Sequence, residues 1–418
     1  MRIGYACIAL GVPDSSMKKC LMQNADEARL REIIAHNLNA LELLLRYNIK
    51  NSIFLFRISS DLIPFGSGSV NRLAWWELYG ERFERIGAMI RDSGMRVSMH
   101  PGQYTVLNSE SDAVAERAAA DLTYHARVLD ALGLDAAHKL ILHIGGIYGD
   151  KSAAAARFAQ RYAQLAPAIK KRLVIENDDR CYTIGDVLRL GRENHIPVVF
   201  DNLHHRLNPP PEGGSDVQWV NACRATWGAD DGPQKIHYSQ QARGQRRGNH
   251  SATICVREFA AFAETLNRPD LDIMLEVKDK NLSAIKCRNC MGGEPHAEAL
   301  EQEWSRYQYL VLEHSPELYQ QIGGFLKSGD SYDPFGFYQL LEAALQTPLT
   351  PGSFLNGVLH IWDCFKEMAT EQEKAAFRRA VEELQFSEAA VKALKNRLYR
   401  LAVKYRREDL LQSYYFLF

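Results

Sequence analysis

Eight short apolar runs, separated by amphipathic segments, fill the first two-thirds of the chain and constrain its fold more than any other feature. They are IGYACI (3–8), SIFLFRIS (52–59), RVSMH (96–100), KLILHIG (139–145), RLVIE (172–176), PVVFD (197–201), KIHYS (235–239) and DIMLEV (272–277). The clearest segment between them is 26–47, where Leu30, Ile34, Leu38, Leu41 and Leu45 share one helical face. Asn24 with Glu27 is its candidate N-terminal cap. Helical period recurs at 76–93, 111–132, 152–170, 184–194, 216–226 and 254–267. Apolar strands alternating with amphipathic helices imply a parallel sheet covered on both faces, an α/β chain. Eight units in about 280 residues match a (β/α)8 TIM barrel, roughly 250 residues before insertions. The alternative is an open doubly wound sheet. The first strand–helix turn, ACIALGVPDSS, lacks the GxGxxG of a dinucleotide-binding sheet, which favours the barrel.

After residue 286 the texture changes. CRNCMGGEP reads as a turn-rich joint, and helices are predicted over 297–314, 316–327, 335–345, 353–368, 372–382 and 387–406. The expected organisation is a barrel domain over 1–286 and an all-helical C-terminal extension over 287–418. Cys287-x-x-Cys290 has the spacing of half a zinc site, with His296 the one further ligand nearby. The chain carries 50 Lys and Arg against 51 Asp and Glu, so any nucleic-acid surface must be local. The segment Lys395–Arg407 is basic on several turns. No stretch approaches the ~18–20 apolar residues of a membrane span. MRIGYACI reads as a buried strand rather than an export signal. With no export signal, the eight scattered cysteines are expected to be reduced thiols in a cytoplasm.

The polar residues that close the strands carry the chemistry. His100, His143, Glu176, Asp201, His237 and Glu276 fall at or near the ends of six successive strands, three to eight. A parallel barrel gathers all strand C-termini at one face, where active sites are built. His204, three residues after Asp201, and His250, in the loop after the seventh strand, extend the cluster to eight side chains. A single strand-end His is more often structural, and a lone Asp after a strand is often a helix cap. Six in succession make the ligand reading the stronger. Imidazole mixed with carboxylate suits Zn²⁺, Mn²⁺ or Fe²⁺ rather than an all-oxygen Ca²⁺ site. Eight ligands exceed one tetrahedral centre, so two or three ions with bridging carboxylates are expected. His36, His125, His138, His195, His296, His314 and His360 sit in helices or connections and are read as structural; His205 is ambiguous. With no obvious nucleophilic Ser or Cys, such a site points to hydrolysis by metal-activated water, usually of phosphate esters. Sugar isomerase barrels also use two metals with Glu, Asp and His, so residue types leave both readings open.

Several longer motifs narrow the choice. FRISSDLIPFGS (56–67), MHPGQYTVLNS (99–109), LILHIGGIYGDK (140–151), LVIENDD (173–179), PVVFDNLHH (197–205), KIHYS (235–239), GNHS (248–251) and MLEVKDK (274–280) together resemble the ultraviolet damage endonucleases (UvdE), related in fold to endonuclease IV. WSRYQYLVLEHSP (304–316) is similar to an extension of bacterial members. The resemblance implies a TIM-barrel nuclease with a manganese-preferring trinuclear site, for which Zn²⁺, Co²⁺ or Mg²⁺ are substitutes. It implies nicking of double-stranded DNA immediately 5′ to cyclobutane pyrimidine dimers and 6-4 photoproducts, sometimes abasic sites, leaving a 3′-hydroxyl and a 5′-phosphate. By the same resemblance, His100, His143 and Glu176 hold one metal. Glu176, Asp201, His237 and Glu276 hold the second, and His204 and His250 the third. Gln103 and Tyr104 fall on damage-probing positions, although a tight turn with a packed Tyr104 is the bland alternative. Tyr5 falls on a position near the lesion and reads equally as a barrel-core tyrosine. Where family members often carry a His after FGS, this chain has Gly68. That puts a phosphate or metal-water contact in doubt.

Lys235 lies two residues before His237 and so faces the same way along its strand. Beside metal dications it is expected to be neutral, or carbamylated and acting as a ligand or phosphate contact; a surface lysine is the alternative. Arg243, Arg246 and Arg247, in a flexible loop leading to His250, are the candidate DNA-backbone contacts, with Lys151 and Arg180 weaker ones. The expected protein is a monomeric, cytoplasmic, metal-dependent DNA repair endonuclease, nucleoid-associated if bacterial, with no organic cofactor and no membrane partner. Its rivals are a sugar isomerase or epimerase with one or two metals, and a damage-binding protein that does not cut.

Overall fold

The structure is a computed structural model that describes residues 1–292, 297–327 and 333–418. Its strands are β1 (Arg2–Ala6), β2 (Leu55–Ile58), β3 (Arg96–Met99), β4 (Lys139–His143), β5 (Leu173–Glu176), β6 (Val198–Asp201), β7 (Lys235–Tyr238) and β8 (Asp272–Leu275). Each pairs in parallel with the next, and β8 pairs with β1 to close the barrel. Closure requires Gly4. A Cβ at that position would sit 2.0 Å from the Leu55 carbonyl oxygen.

The barrel interior follows from the alternation of side chains along each strand. At the strand starts it is charged. Arg96 and Arg2 grip Asp272 at 2.7 and 2.8 Å, and Lys139 meets Asp231. The middle is apolar, with Ala6, Leu55 and Met274 in one cluster and Ile141, Val174 and Val199 in another. Two residues further along the same strands come Arg57, His143, Glu176, Asp201 and Glu276. An apolar floor thus separates two polar layers. It gives the residues of the mouth a dry base.

The helical layer departs from expectation in three places. The helix Glu27–Lys50 is capped by Asp26, whose side chain accepts from the Arg29 amide, not by Asn24. A six-residue helix, Asn202–Leu207, follows Asp201 directly and carries His204. Cys287 and Cys290, read as part of a joint, are buried on the helix Asn281–Met291. His296 lies outside the described residues. The metal-capable clusters found among the described residues contain no cysteine.

The chain divides into two compact units, Met1–Ile254 with Glu258–Arg288, and Cys255–Arg257 with Asn289–Phe418. The second is helical in all its described regular structure. Its core includes Phe354, Ile361, Trp362, Phe365 and Leu398, with Trp362 stacked on Phe377 at 4.0 Å. Its basic segment is largely spoken for. Lys395 is buried against Glu313 at 2.5 Å, Lys404 pairs with Glu373 and Arg407 with Asp409. No helix among the described residues is long and apolar enough to cross a membrane.

Candidate active site

Strand register brings the polar ends together. His143 on β4 pairs with Glu176 on β5, and Asp201 on β6 with His237 on β7. Beyond those points the ladder opens, and amide side chains hold it. Asn177 donates to the Asp201 carbonyl at 3.1 Å and accepts from the Asp201 amide at 2.9 Å. Asn202 does the same to Ser239, just past the end of β7, at 3.0 and 2.8 Å. Ser60 donates to the His100 carbonyl at 3.0 Å. None of these three was singled out from the sequence. An Asn or Ser beside a metal-type residue gives no signal until the neighbouring strand is known.

Glu176 is the centre. One carboxylate oxygen lies 3.2 Å from His100 Nε2 and 3.7 Å from His143 Nε2. The other lies 2.7 Å from His237 Nδ1 and 3.8 Å from His204 Nδ1. Two clusters could hold a metal ion, His100 with His143 and Glu176, and Glu176 with Asp201 and His237. Glu276 stands beside the second cluster, 3.5 Å from His237, and His250 is 4.0 Å from its other oxygen. Asp201 caps the short helix by accepting from the His204 amide at 2.7 Å. Its remaining oxygen, Oδ2, is buried with no partner, as is Nδ1 of His143. Buried polar atoms normally find partners. Orphaned polar atoms among three imidazoles and two carboxylates fit a cation, so the residues present suit the divalent ions that the site implies.

Arg57 adds a permanent positive charge beside the cluster. Its Nη2 donates to Glu276 Oε1 at 2.7 Å and lies 2.9 Å from His237 Nε2. Burial works against the charge of Glu276, but Arg57 outweighs it and holds the carboxyl well below the usual range. Burial also opposes ionisation of Glu176, and the surrounding imidazoles reverse the effect. Burial pushes Asp201 up to about 7 despite His204, and pulls His237 down to about 4. For His204 burial is overcome by Asp201 and Glu176, which raise its ring to about 9. Asp201 and His204 therefore retain protons near neutrality, and an entering dication must expel them. The expected result is a metal affinity that rises with pH between about 6 and 9. Calorimetric titration in two buffers of different ionisation enthalpy would read the released protons. Equal heats in both would refute it.

The other expected residues sort clearly. Gln103 and Tyr104 form an exposed turn after β3, and Tyr104 is 83% exposed, which removes the packed alternative. Arg243 and Arg246 are exposed in the loop before His250, with Arg243 3.5 Å from Glu258. Arg247 donates to the Leu207 carbonyl at 2.8 Å. Gly68 is exposed, and an added Cβ would approach only the Phe65 carbonyl, at 3.7 Å. Lys151 is tied to Asp186 and Arg180 lies against Asp179. His205 is buried against Phe200, off the mouth. Lys235 is fully buried, which excludes the surface alternative. Its amine has no hydrogen-bond partner, and burial, with Arg96, drives its pKa far down. It starts its strand opposite Asp272. It therefore sits below the ligands, nearer the charged layer at the strand starts than expected.

Tyr5 is a correction. The position expected near the lesion is wholly buried, and its hydroxyl donates to Asn48 at 2.6 Å. Gly4 and Ala6 face the barrel interior, so Tyr5 faces the helix layer and packs on Phe56. It does not reach the mouth.

Comparison with known proteins gives the same outline. A family described as UV-endonuclease UvdE matches residues 1–292, and one described as a protein of unknown function (DUF1722) matches residues 308–418. The UV DNA damage endonuclease of Clostridium perfringens is 35% identical over 395 residues, covering 94% of this chain and 94% of its own length. That of Bacillus cereus strain Q1 is 31% identical over 297 residues, 68% of this chain and 93% of its own. The crystal structure of SacUVDE matches with a TM-score of 0.65 at 35% identity, over 69% of this chain and 96% of that one.

Proposed function

The chain belongs to the UV-endonuclease UvdE family, and from that premise we propose that it is a DNA repair endonuclease acting on UV-damaged double-stranded DNA. The cut falls immediately 5′ to cyclobutane pyrimidine dimers and 6-4 photoproducts, and at abasic sites, leaving a 3′-hydroxyl and a 5′-phosphate. The observation that carries this reading is one buried carboxylate, Glu176, shared by two metal-capable clusters at an open barrel mouth. Bound there, two or three divalent ions, manganese first and zinc, cobalt or magnesium as substitutes, would supply Lewis acidity toward a phosphodiester and an acidified water. His100, His143 and Glu176 would hold the first, Glu176, Asp201, His237 and Glu276 the second, and His204 and His250 the third.

The chain's own residues do the rest. Tyr104 offers a free aromatic face on which an unstacked base rests, and Gln103 takes up hydrogen bonds that displaced bases leave. A photoproduct stacks poorly, so opening the duplex costs less there than at a normal pair. Arg243, Arg246 and Arg247 contact phosphates and hold the register of the strand. Lys235 stays neutral. Its amine is the form that takes up carbon dioxide as a carbamate, with loss of one proton, and Arg96 and Arg57 would offset the new charge. The protein acts as a monomer in the cytoplasm, at the nucleoid in a bacterium.

The test is a 5′-labelled duplex with one thymine dimer, incubated with Mn²⁺ beside an undamaged duplex. A single nick just 5′ to the dimer is expected. Tight binding without any nick would favour the damage-binding alternative. Tyr104→Ala is expected to weaken affinity for the dimer about 5- to 150-fold, since one base–aromatic stack is worth ~1–3 kcal/mol. Its melting temperature should not move, because Tyr104 packs little. Unchanged affinity would remove Tyr104 from lesion recognition.

A further inference from the structure

Six of the nine large apolar side chains exposed on the barrel unit, Ile8, Leu21, Met22, Tyr104, Ile147 and Tyr148, lie in connections that follow a strand, on the face where the ligand cluster sits; Leu43 and Leu78 lie on helices and Met1 precedes β1. The opposite end is closed by charge, with Arg2, Arg96, Asp272, Lys139 and Asp231 interlocked. Among all described residues, Tyr104 at 83%, Met22 at 71% and Leu21 at 66% are the three most exposed large apolar side chains. Single exposed apolar residues need no explanation, whereas an adjacent pair on a functional rim does.

The connection that carries Leu21 and Met22 is held in place. Buried Asn37, on the helix Glu27–Lys50, accepts from the Lys18 amide at 2.8 Å and donates to the Lys18 carbonyl at 3.1 Å. The same side-chain amide donates to the carbonyls of Asp61 and Leu62 at 3.1 and 3.2 Å. Ser60, next in that segment, holds the His100 carbonyl. Two hydrogen-bonded steps therefore link the connection to a residue of the ligand cluster. Between the two segments lies a cleft of about 260 Å³, lined by Lys18, Lys19, Ser60, Phe65 and Ser67 among others. Lys18 and Lys19 closely precede the apolar pair. Their partners are Glu32 at 4.0 Å and Asp61 at 3.0 Å, both half-exposed. Exposed pairs of this kind contribute little and exchange readily for a phosphate.

We propose that the β1-following connection is a second DNA-engaging element, in which Leu21 and Met22 wedge against a base step while Lys18 and Lys19 hold the adjoining phosphates. This rests on the endonuclease reading above and adds a specificity element to it. Apolar wedges of Leu and Met partly unstack a step and bend the duplex, which an enzyme seeking a poorly stacked lesion can use as its measure. Tyr104 then acts from the β3 side of the same mouth, and Leu21 with Met22 from the β1 side. Two cations followed by two bare apolar side chains suit a duplex, whose charged backbone and stacked interior they match in turn.

Two variants separate the parts, Leu21→Ser with Met22→Ser, and Lys18→Ala with Lys19→Ala. Each is read on a dimer-bearing duplex with 2-aminopurine beside the lesion, and on an undamaged duplex, with Mn²⁺ across a salt series. The serine pair is expected to lose the 2-aminopurine signal and raise KM for the dimer duplex about tenfold. Its melting temperature and salt slope should stay unchanged. The alanine pair is expected to weaken both duplexes alike and to flatten the salt slope by ~0.9 for each phosphate it no longer neutralises. Should the serine pair nick, bind and report like the wild type, the wedge is overturned and the endonuclease reading stands. Should the wild-type protein neither bind nor nick either duplex, both fall together.

Discussion

Glu176→Gln is expected to abolish nicking, with a loss of about 10³-fold or more, while the barrel stays folded. The amide keeps the volume of the acid in a site with 1% exposure, so packing is undisturbed. What goes is the charge that four imidazoles share. His100 and His143 face one oxygen and His237 and His204 the other, all within 3.8 Å. A carboxamide offers one acceptor and one donor. It satisfies one side of this arrangement and opposes the other. Both metal-capable clusters contain Glu176, so the variant should lose cation binding in both rather than in one. Metal titration followed by calorimetry, run beside the nicking assay, distinguishes this from a local effect. A variant that kept one ion at full affinity would refute a shared carboxylate. So would one that nicked at a tenth of the wild-type rate.

That centre was legible because of where its residues fall. A His, Glu or Asp that closes an apolar strand has one place to go in a parallel barrel, and six successive strands repeated the pattern. The same alternation makes Tyr5 a core residue, since Gly4 and Ala6 on either side are the small residues that fit a closing barrel. Resemblance had kept a lesion contact open there. The helix that carries His204 was hidden because six residues are too few to show a period. Arg57 was missed for a different reason. Inside SIFLFRIS it looks like a charge at the edge of a strand, and its partners, His237 and Glu276, lie 180 and 219 positions away. Nothing local tells a buried arginine from an exposed one. The structure does, by leaving it 7% exposed and directed at the cluster.

Arg57 carries the second large prediction. Its guanidinium meets Glu276 at 2.7 Å and His237 at 2.9 Å, with Cys7 and Glu176 further off. Replacing it by methionine keeps much of the side chain's length and removes the charge. Glu276 and Glu176 would then face each other across a buried site with no fixed cation between them. Breaking a buried pair by removing one member costs about 3–5 kcal/mol, because the partner's charge stays behind. The metal-free Arg57→Met protein is therefore expected to melt well below the wild type, by roughly ten degrees for a unit of this size. Adding Mn²⁺ should recover much of that loss, since a ligand that binds only the folded state stabilises it and a dication restores the missing charge. The recovery should be larger in the variant than in the wild type. Melting curves of both proteins in chelator and in Mn²⁺ measure the four corners of the cycle. If the loss were the same with and without Mn²⁺, Arg57 would be an ordinary packing residue. If it vanished in chelator too, the pair with Glu276 would contribute nothing to the fold. A deficit confined to the metal-free protein is the signature of an arginine that holds the carboxylates of the mouth in place until a metal does.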